Sequence, residues 1–152
     1  MESPISSPEL VALYGRQRAT MTRLARLLTG SEVVAEEIVQ EAFLKIHQLR
    51  DSPRSPDAYL RTVVVNLSKS HLRRLRLERR LPVDEQMNLG EPEMEEMWAA
   101  VCRLPFRMRA VLVLRYYQDL SEAEISEELG CRPGTVKSRL HRALEKLREE
   151  LS

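Results

Sequence analysis

A set of hydrogen-bonding side chains recurs at helical spacing near the end of the chain. Its members stand at relative positions 0, 3, 4 and 7, so one face of a helix would carry Thr135, Ser138, Arg139 and Arg142. Arginine can pair with both acceptors on the major-groove edge of guanine, while Lys137 and His141 could contact phosphates or flanking bases. The pattern indicates a nucleic-acid surface, although an ordinary amphipathic helix with a solvated charged face has the same spacing.

A second polar row lies in the middle of the chain. It also follows helical spacing and consists of Thr62, Asn66, Lys69, Arg73, Arg76 and Arg80. The same segment has an apolar row, predicted as its buried face: Leu60, Val63, Val64, Leu67 and His71. A helix turns by about 100° per residue, so Thr62 and Val64 are separated by about 200°. Burial of the apolar row would leave the basic row in solvent or against a polyanion.

The segment before this one carries an acidic row. Its apolar stripe is formed by Ala35, Ile38, Val39, Ala42 and Ile46. The other side of the same helix would expose Glu36, Glu37, Gln40 and Glu41. Such a row is most often a solvated face, but it also suits a basic partner surface.

Charge is separated along the chain, which explains a net charge of only +1. Six basic residues and one acidic residue stand within 69–80, and the same numbers stand within 132–148. Residues 84–96 hold six acidic residues and no basic one. Local patches rather than the total charge decide nucleic-acid affinity, so two basic regions remain candidates for DNA contact.

Other functional classes find little support in the composition. The two cysteines form no CxxC motif and the three histidines are scattered, so neither a zinc site nor any other cofactor is expected. A single disulfide is conceivable, but nothing else indicates an oxidising compartment. An enzyme is the least favoured class, because no phosphate-binding loop or nucleophile–base pair is evident. No apolar run is long enough to span a membrane, and we expect a cytoplasmic protein.

Helices alone must position these rows, since no strand pattern occurs. The predicted helices cover about 8–28, 32–49, 56–80, 94–103, 105–117, 122–129 and 133–150. Residues 1–8 are predicted to be a frayed tail, and 81–93 an acidic linker containing proline and glycine. The fold class is therefore all-α, with small modules at 8–80 and 94–152. Ser121–Glu124 is a capping box and Gly130 a helix stop, which is typical of a helix-turn-helix.

Three segments together resemble one family. Residues 133–144 (PGTVKSRLHRAL) are similar to the −35-reading helix of the sigma-70 superfamily, in its extracytoplasmic-function branch. Residues 35–43 (AEEIVQEAF) resemble the family's polymerase-binding helix. Tyr59-Leu60, Asn66 and Arg73-Arg74 resemble its −10-reading helix. The resemblance spans about residues 10–150 in the family's order, and it implies a two-module transcription initiation factor.

The resemblance also implies partners and site residues. Core RNA polymerase would be bound through its β′ clamp helices and β flap, with the first contact made by Glu36, Glu37, Gln40, Glu41 and Phe43. Promoter DNA would be read at −35 by Thr135, Lys137, Ser138, Arg139, His141 and Arg142. The loop 50–56 would capture a flipped −10 base, with Arg54, Tyr59, Asn66, Lys69, Arg73 and Arg76 holding bases and phosphates. An anti-sigma factor is a further expected partner.

The sequence departs from the family's pattern in three places. Tyr59 replaces a frequent tryptophan, Arg132 replaces a small capping residue, and the loop 50–56 contains two prolines but no aromatic residue or glycine. We therefore expect the last helix to begin without a side-chain cap. Two other functions remain open: a stand-alone helix-turn-helix regulator, and a protein-binding adaptor that no longer reads DNA. The first gives no account of the acidic row, and intact Arg139 and Arg142 argue against the second.

Overall fold

The computed structural model describes residues 3–79 and 92–152, with side chains over 3–78 and 96–152. These residues form helices and no strand, which confirms the all-α prediction. The helices are α1 (Ser7–Thr29), α2 (Glu32–His47), α3 (Pro56–Arg79), α4 (Pro92–Arg103), α5 (Phe106–Tyr116), α6 (Glu122–Leu129) and α7 (Pro133–Leu151). Most of the predicted linker lies outside the described residues, and α4 begins two residues before the predicted start at 94.

Two compact units divide the chain, Met1–His71 and Leu72–Ser152, with the division inside α3. In the first unit α1 packs against α2 across a short turn. Gly30 ends α1 in the left-handed conformation (φ 79°), and its amide donates to the carbonyl of Arg26 at 2.7 Å. The Ser31 hydroxyl accepts from the amide of Val34 and so starts α2. These residue types suit the two positions, because glycine has no Cβ to oppose a positive φ and the serine hydroxyl can accept a hydrogen bond at a helix start.

The buried stripe of α3 differs from the prediction. Leu60 and Val64 are buried as expected, but the predicted Val63, Leu67 and His71 are only half-buried. The remaining buried positions are Val65, Ser68 and Leu72. Each residue turns the helix by about 100°, so the buried face is rotated by roughly 70° from the predicted one. A hydropathy pattern counts Ser68 as polar, whereas its small side chain is fully buried, and the pattern therefore placed the face wrongly.

The segment before α1 is ordered, so the prediction of a frayed tail is wrong for its described part. Ile5 is only 6% exposed. The carbonyl of Ser3 accepts from the amide of Ser52 at 2.8 Å, and the Ser6 hydroxyl caps α1 by accepting from the amide of Glu9. Polar and proline-rich composition hid the one apolar side chain that anchors this segment.

In the second unit α7 packs against α4, α5 and α6. The core comprises Ala100, Val101, Leu104, Leu112, Ala143 and Leu147, with Met108, Leu140 and Leu144 against it. Val136 is buried on the inner side of α7, whereas Leu151 is 37% exposed at the end of the helix. Cys102 and Cys131 are both free thiols.

Arg109 is the large charged side chain in this core, at 1% exposure. Its Nη2 donates to the carbonyls of Cys102 (2.5 Å) and Leu104 (2.9 Å), at the end of α4. A cation suits these positions because the last carbonyls of a helix carry partial negative charge and have no helical donor. Burial lowers the pKa of the Arg109 guanidinium from its usual range. Among the described residues no helix is long and apolar enough to cross a membrane.

Candidate nucleic-acid interface

The helix-turn-helix of α6 and α7 is closed by local hydrogen bonds. Ser121 and Glu124 form the predicted capping box, in which each side chain accepts from the other's amide at 3.1 and 3.0 Å. Gly130 (φ 66°) ends α6, and the Ser126 hydroxyl donates to the carbonyl of Cys131 in the turn. These contacts fix the direction in which α7 leaves the turn.

The start of α7 matches the expectation drawn from Arg132. This residue is the N-cap, with extended backbone, and no side-chain hydrogen bond caps the helix. Its carbonyl instead accepts from the amides of Thr135 and Val136, at 2.9 and 3.1 Å. The first turn of α7 carries no acidic residue, so the positive end of the helix dipole is not neutralised locally.

The predicted base-reading residues all lie on the accessible side of α7. Four of them are exposed, namely Lys137, Ser138, His141 and Arg142, while Thr135 and Arg139 are half-buried. Val136, Ala143 and Leu147 occupy the opposite, buried side. The six side chains therefore form one continuous polar surface over the first turns of a helix held by its own core.

Three of these side chains have partners within the protein. Lys137 Nζ lies 4.0 Å from Glu122 Oε1 on α6, and His141 Nε2 lies 3.2 Å from Glu145 Oε1 one turn along α7. Arg139 Nη1 lies 4.0 Å from Cys131 Sγ in the turn. The two pairs with Glu122 and Glu145 are ion pairs at the surface, and such pairs are weak, so phosphate groups of a nucleic acid could replace the two carboxylates. Sequence reasoning missed these partners; only Glu145, four residues after His141, carried a local signal.

The basic row of α3 is equally accessible in its described part, and its last member, Arg80, lies outside the described residues. Asn66, Lys69, Arg73 and Arg76 are all exposed, which excludes a buried amide at Asn66. Thr62 is half-buried, with its hydroxyl donating to the carbonyl of Ala58. The described members of the polar row remain accessible even though the buried face of α3 is rotated. The polar row lies on nearly the opposite side of the helix from the predicted apolar row, so the rotated buried face does not reach it.

The loop before α3 presents Arg54 to solvent, while Tyr59 is half-buried in the first turn of the helix. Ser55 caps the start of α3, with its hydroxyl accepting from the amide of Ala58 at 3.3 Å. Asp57 accepts two hydrogen bonds from Arg16 at 3.0 Å and one from Gln17 at 2.7 Å. The hydrogen bonds from Arg16 are the main reason that the pKa of Asp57 lies below its usual range.

The acidic row of α2 is exposed as predicted at its four polar positions, Glu36, Glu37, Gln40 and Glu41. Phe43 does not share that surface, since it is only 8% exposed and its ring packs edge-on against Tyr14 with centroids 5.1 Å apart. Tyr14 is 47% exposed, and the guanidinium of Arg18 lies 5.7 Å from its ring centre. The resemblance to the family's polymerase-binding helix implied Phe43 as a contact residue, whereas the helical turn of α2 directs its side chain toward α1.

Leu44 is an exposed apolar residue that the sequence reasoning missed. It stands four residues after Gln40 and three after Glu41, so helical spacing alone places it on the acidic row. Tyr14, on another helix, carried no such signal. The described residues contain no group of three or more His, Cys, Asp or Glu side chains that could hold a metal ion.

Comparison with known proteins identifies both units. The model of Sigma-70 region 2 matches residues 13–78, and that of Sigma-70 region 4 matches residues 94–147. The chain is 36% identical to the ECF RNA polymerase sigma factor SigL of Mycobacterium tuberculosis over 90% of this chain and 85% of the relative. It is 35% identical to the RNA polymerase sigma-E factor of Streptomyces avermitilis, over 91% and 83% respectively.

A solved structure shares the fold. It is the sigma factor RpoE of Bartonella quintana in complex with the anti-sigma factor NepR, with a TM-score of 0.73 at 22% identity, over 93% of this chain and 94% of that one. Family models that match both parts of the chain, and relatives similar over most of their length, establish the identity. The chain belongs to the extracytoplasmic-function sigma factors of the sigma-70 family.

Proposed function

We propose that this sigma factor directs RNA polymerase to promoters by reading the −35 element as duplex and the −10 element as melted strand. The observation that carries the proposal is the exposure of two basic helical faces, on α3 and α7, in a chain whose net charge is only +1. The proposed modules are residues 8–80 and 94–152, joined by a linker at 81–93. Both act by binding, within the bacterial nucleoid.

The −35 element would be read in the major groove by the start of α7. A recognition helix meets base edges with its N-terminal residues, which here are the six polar side chains from Thr135 to Arg142. Arg142 is the preferred guanine reader because its side chain is exposed and a guanidinium can pair with both acceptors of guanine. Lys137 and His141 would give up their glutamate partners for phosphates.

The −10 element would be held by the loop 50–56 and the exposed row on α3. Extruding a base from the stack costs a few kcal/mol, so opening needs a pocket and backbone contacts as compensation. Arg54, exposed in the loop, and Tyr59, half-buried in the first turn of α3, would line such a pocket. Asn66, Lys69, Arg73 and Arg76 would hold the adjacent bases and phosphates along the helix.

Core polymerase would bind the exposed acidic row of α2 through its β′ clamp helices, with a second contact at the β flap. The carboxylates favour a basic partner, and Leu44 supplies an apolar contact within the row. Phe43 would support this surface from beneath through Tyr14 rather than insert into the partner. An anti-sigma factor is a further proposed partner, since sigma factors of this fold are found in complex with one.

The −35 assignment is tested with reconstituted holoenzyme and run-off transcription from a promoter identified on genomic fragments. Arg142→Ala should lose about 1–3 kcal/mol of discrimination at one −35 base pair and little elsewhere. Arg148→Ala is the matched control, because it removes the same charge from an exposed position later on α7. Equal selectivity of the two variants would show that Arg142 reads no base.

The docking assignment is tested by co-purification with core polymerase. Glu37→Lys combined with Glu41→Lys should abolish binding, because both substitutions put positive charge against a basic partner. Glu9→Lys combined with Glu78→Lys makes the same change of charge at exposed positions away from α2. Retention of binding by the first pair, with helicity unchanged, would remove the docking claim.

A stand-alone regulator is the competing function, and polymerase dependence separates the two. A sigma factor should bind promoter duplex strongly only within holoenzyme, whereas a regulator binds without polymerase. Gel-shift titrations with and without core polymerase distinguish these outcomes. Equal promoter affinity in both conditions would favour the regulator.

A further inference from the structure

The segment before α1 lies against the loop that joins α2 to α3. We call residues Ser3–Ser6 the strap. Its first carbonyl, that of Ser3, accepts a hydrogen bond from the amide of Ser52 in the loop at 2.8 Å. Its third residue, Ile5, is 6% exposed although it belongs to no helix. Its last residue, Ser6, caps α1, so the strap is attached at both ends and anchored between them.

The far end of the same loop is also attached to α1. Asp57, in the first turn of α3, accepts hydrogen bonds from Arg16 Nε and Nη2 and from Gln17 Nε2. Both donors lie on α1, about 40 residues away in sequence. The loop is thus held by the strap near its middle and by α1 at its exit.

These attachments act on a loop with little support of its own. Arg50, Asp51, Arg54 and Ser55 are exposed, and residues 50–55 lie between α2 and α3 without belonging to either helix. Pro53 and Pro56 restrict their own backbone and that of the residue before each, so the rotational freedom of the loop lies mainly at Arg50, Asp51 and Arg54. Ordering one such residue at the moment of binding corresponds to roughly a five- to thirtyfold loss of affinity. A loop ordered beforehand avoids that loss.

We propose that the strap, through Ile5, and the α1 pair Arg16 and Gln17 are positioning elements that hold the loop 50–56 in the conformation that captures the −10 base. The inference rests on the proposed −10 function of this loop. None of the three residues needs to touch DNA; they act through the loop. Loss of either attachment should therefore weaken −10 discrimination and leave polymerase binding and −35 selectivity intact.

The principal test variant is Ile5→Ala in the full chain, with Ile5→Val as the conservative replacement. Leu28→Ala is the matched control, because it also removes a buried aliphatic side chain, but at the opposite end of α1. A second variant, Arg16→Ala with Gln17→Ala, removes one exposed and one half-buried side chain and leaves the buried apolar core unchanged.

Two readouts are needed. The first is the rate of trypsin cleavage after Arg50 and Arg54, both exposed in the loop, followed by mass spectrometry under conditions where all variants are folded. The second is open-complex formation by holoenzyme on a promoter fragment with each −10 base substituted in turn. Ile5→Ala and the Arg16–Gln17 variant should raise loop cleavage at least about fivefold and reduce −10 discrimination by a similar factor. Ile5→Val should restore both.

The outcomes separate the inference from the function on which it rests. If Ile5→Ala and Leu28→Ala change both readouts equally, the strap contributes only general stability and the inference is wrong. The inference also fails if loop cleavage rises while −10 discrimination matches that of the wild type. If wild-type holoenzyme discriminates no −10 base, the proposed function of the loop fails instead. The cleavage rates would still decide whether the strap orders it.

Discussion

Replacing Arg109 with methionine should destabilise the second unit while leaving the first unit folded. Methionine is long enough to fill much of the space of the arginine stem, so the change mainly removes the guanidinium. The carbonyls of Cys102 and Leu104 would then lose the donor that they share. These carbonyls lie at the junction of α4 and α5, and α7 packs against both helices. Loss of the donor therefore weakens the support of the exposed polar surface of α7.

The magnitude follows from two opposing effects. Hydrogen bonds to a charged group contribute about 1.5–3 kcal/mol each, so losing two costs roughly 3–6 kcal/mol. Removing the cation also removes the unfavourable burial that lowers the pKa of Arg109, which offsets part of that loss. A net destabilisation of roughly 2–4 kcal/mol remains. This is a large share of the total for a small domain, which is about 5–15 kcal/mol.

The single tryptophan makes the measurement specific. Trp98 lies on α4, so its fluorescence during urea unfolding reports on the second unit, while circular dichroism reports on all helices. Arg109→Met should lower the urea midpoint of the Trp98 transition by about 2 M. Arg107→Met is the control, because it is an exposed arginine on the same helix. A midpoint equal to that of the control would refute the assignment of Arg109 as a cap for α4.

Two further predictions concern single helix starts. Arg132→Ser should stabilise the second unit by about 1 kcal/mol, because α7 has no side-chain cap and serine would supply one. An unchanged urea midpoint in the Trp98 assay would show that the backbone contacts of Arg132 already satisfy the start of the helix. Asp57→Asn should destabilise the first unit at neutral pH, and the difference from wild type should shrink as the pH falls. The pKa of Asp57 is lowered in the folded state, so its stabilising effect is present above the ordinary carboxyl pKa and is lost as the pH falls through the folded one. Circular dichroism melts across this range would contradict the reasoning if the difference stayed constant.

Local signals were sufficient to predict the helices of this protein. Gly30, Ser31, Ser55 and the Ser121–Glu124 box act through hydrogen bonds within a few residues, so their effect can be read from neighbouring letters. The polar surfaces of α2, α3 and α7 were also predictable. Residues three and four apart share a face of any helix, whatever it packs against.

The environment of individual side chains depended on contacts that are distant in sequence. Helical spacing defines a face only to within a residue or so, and packing decided that α3 buries Ser68 and leaves Val63 half-exposed. Phe43 stands within the segment that resembles the family's polymerase-binding helix, yet its side chain is buried against Tyr14, which lies 29 residues earlier in the chain.

Sequence by itself determined the helices, the caps at Gly30, Ser31, Ser55 and Ser121 and the charge that each helix exposes, because these follow from local hydrogen bonds and helical periodicity. Tertiary structure alone decided that Arg109 caps α4, that Ile5 anchors a strap and that Asp57 joins α3 to α1. The sequence shows an arginine, an isoleucine or an aspartate in the same way whether its side chain lies in solvent or in a core. Only the neighbours brought to it by the fold determine whether it is a surface residue or part of the framework that supports a binding surface.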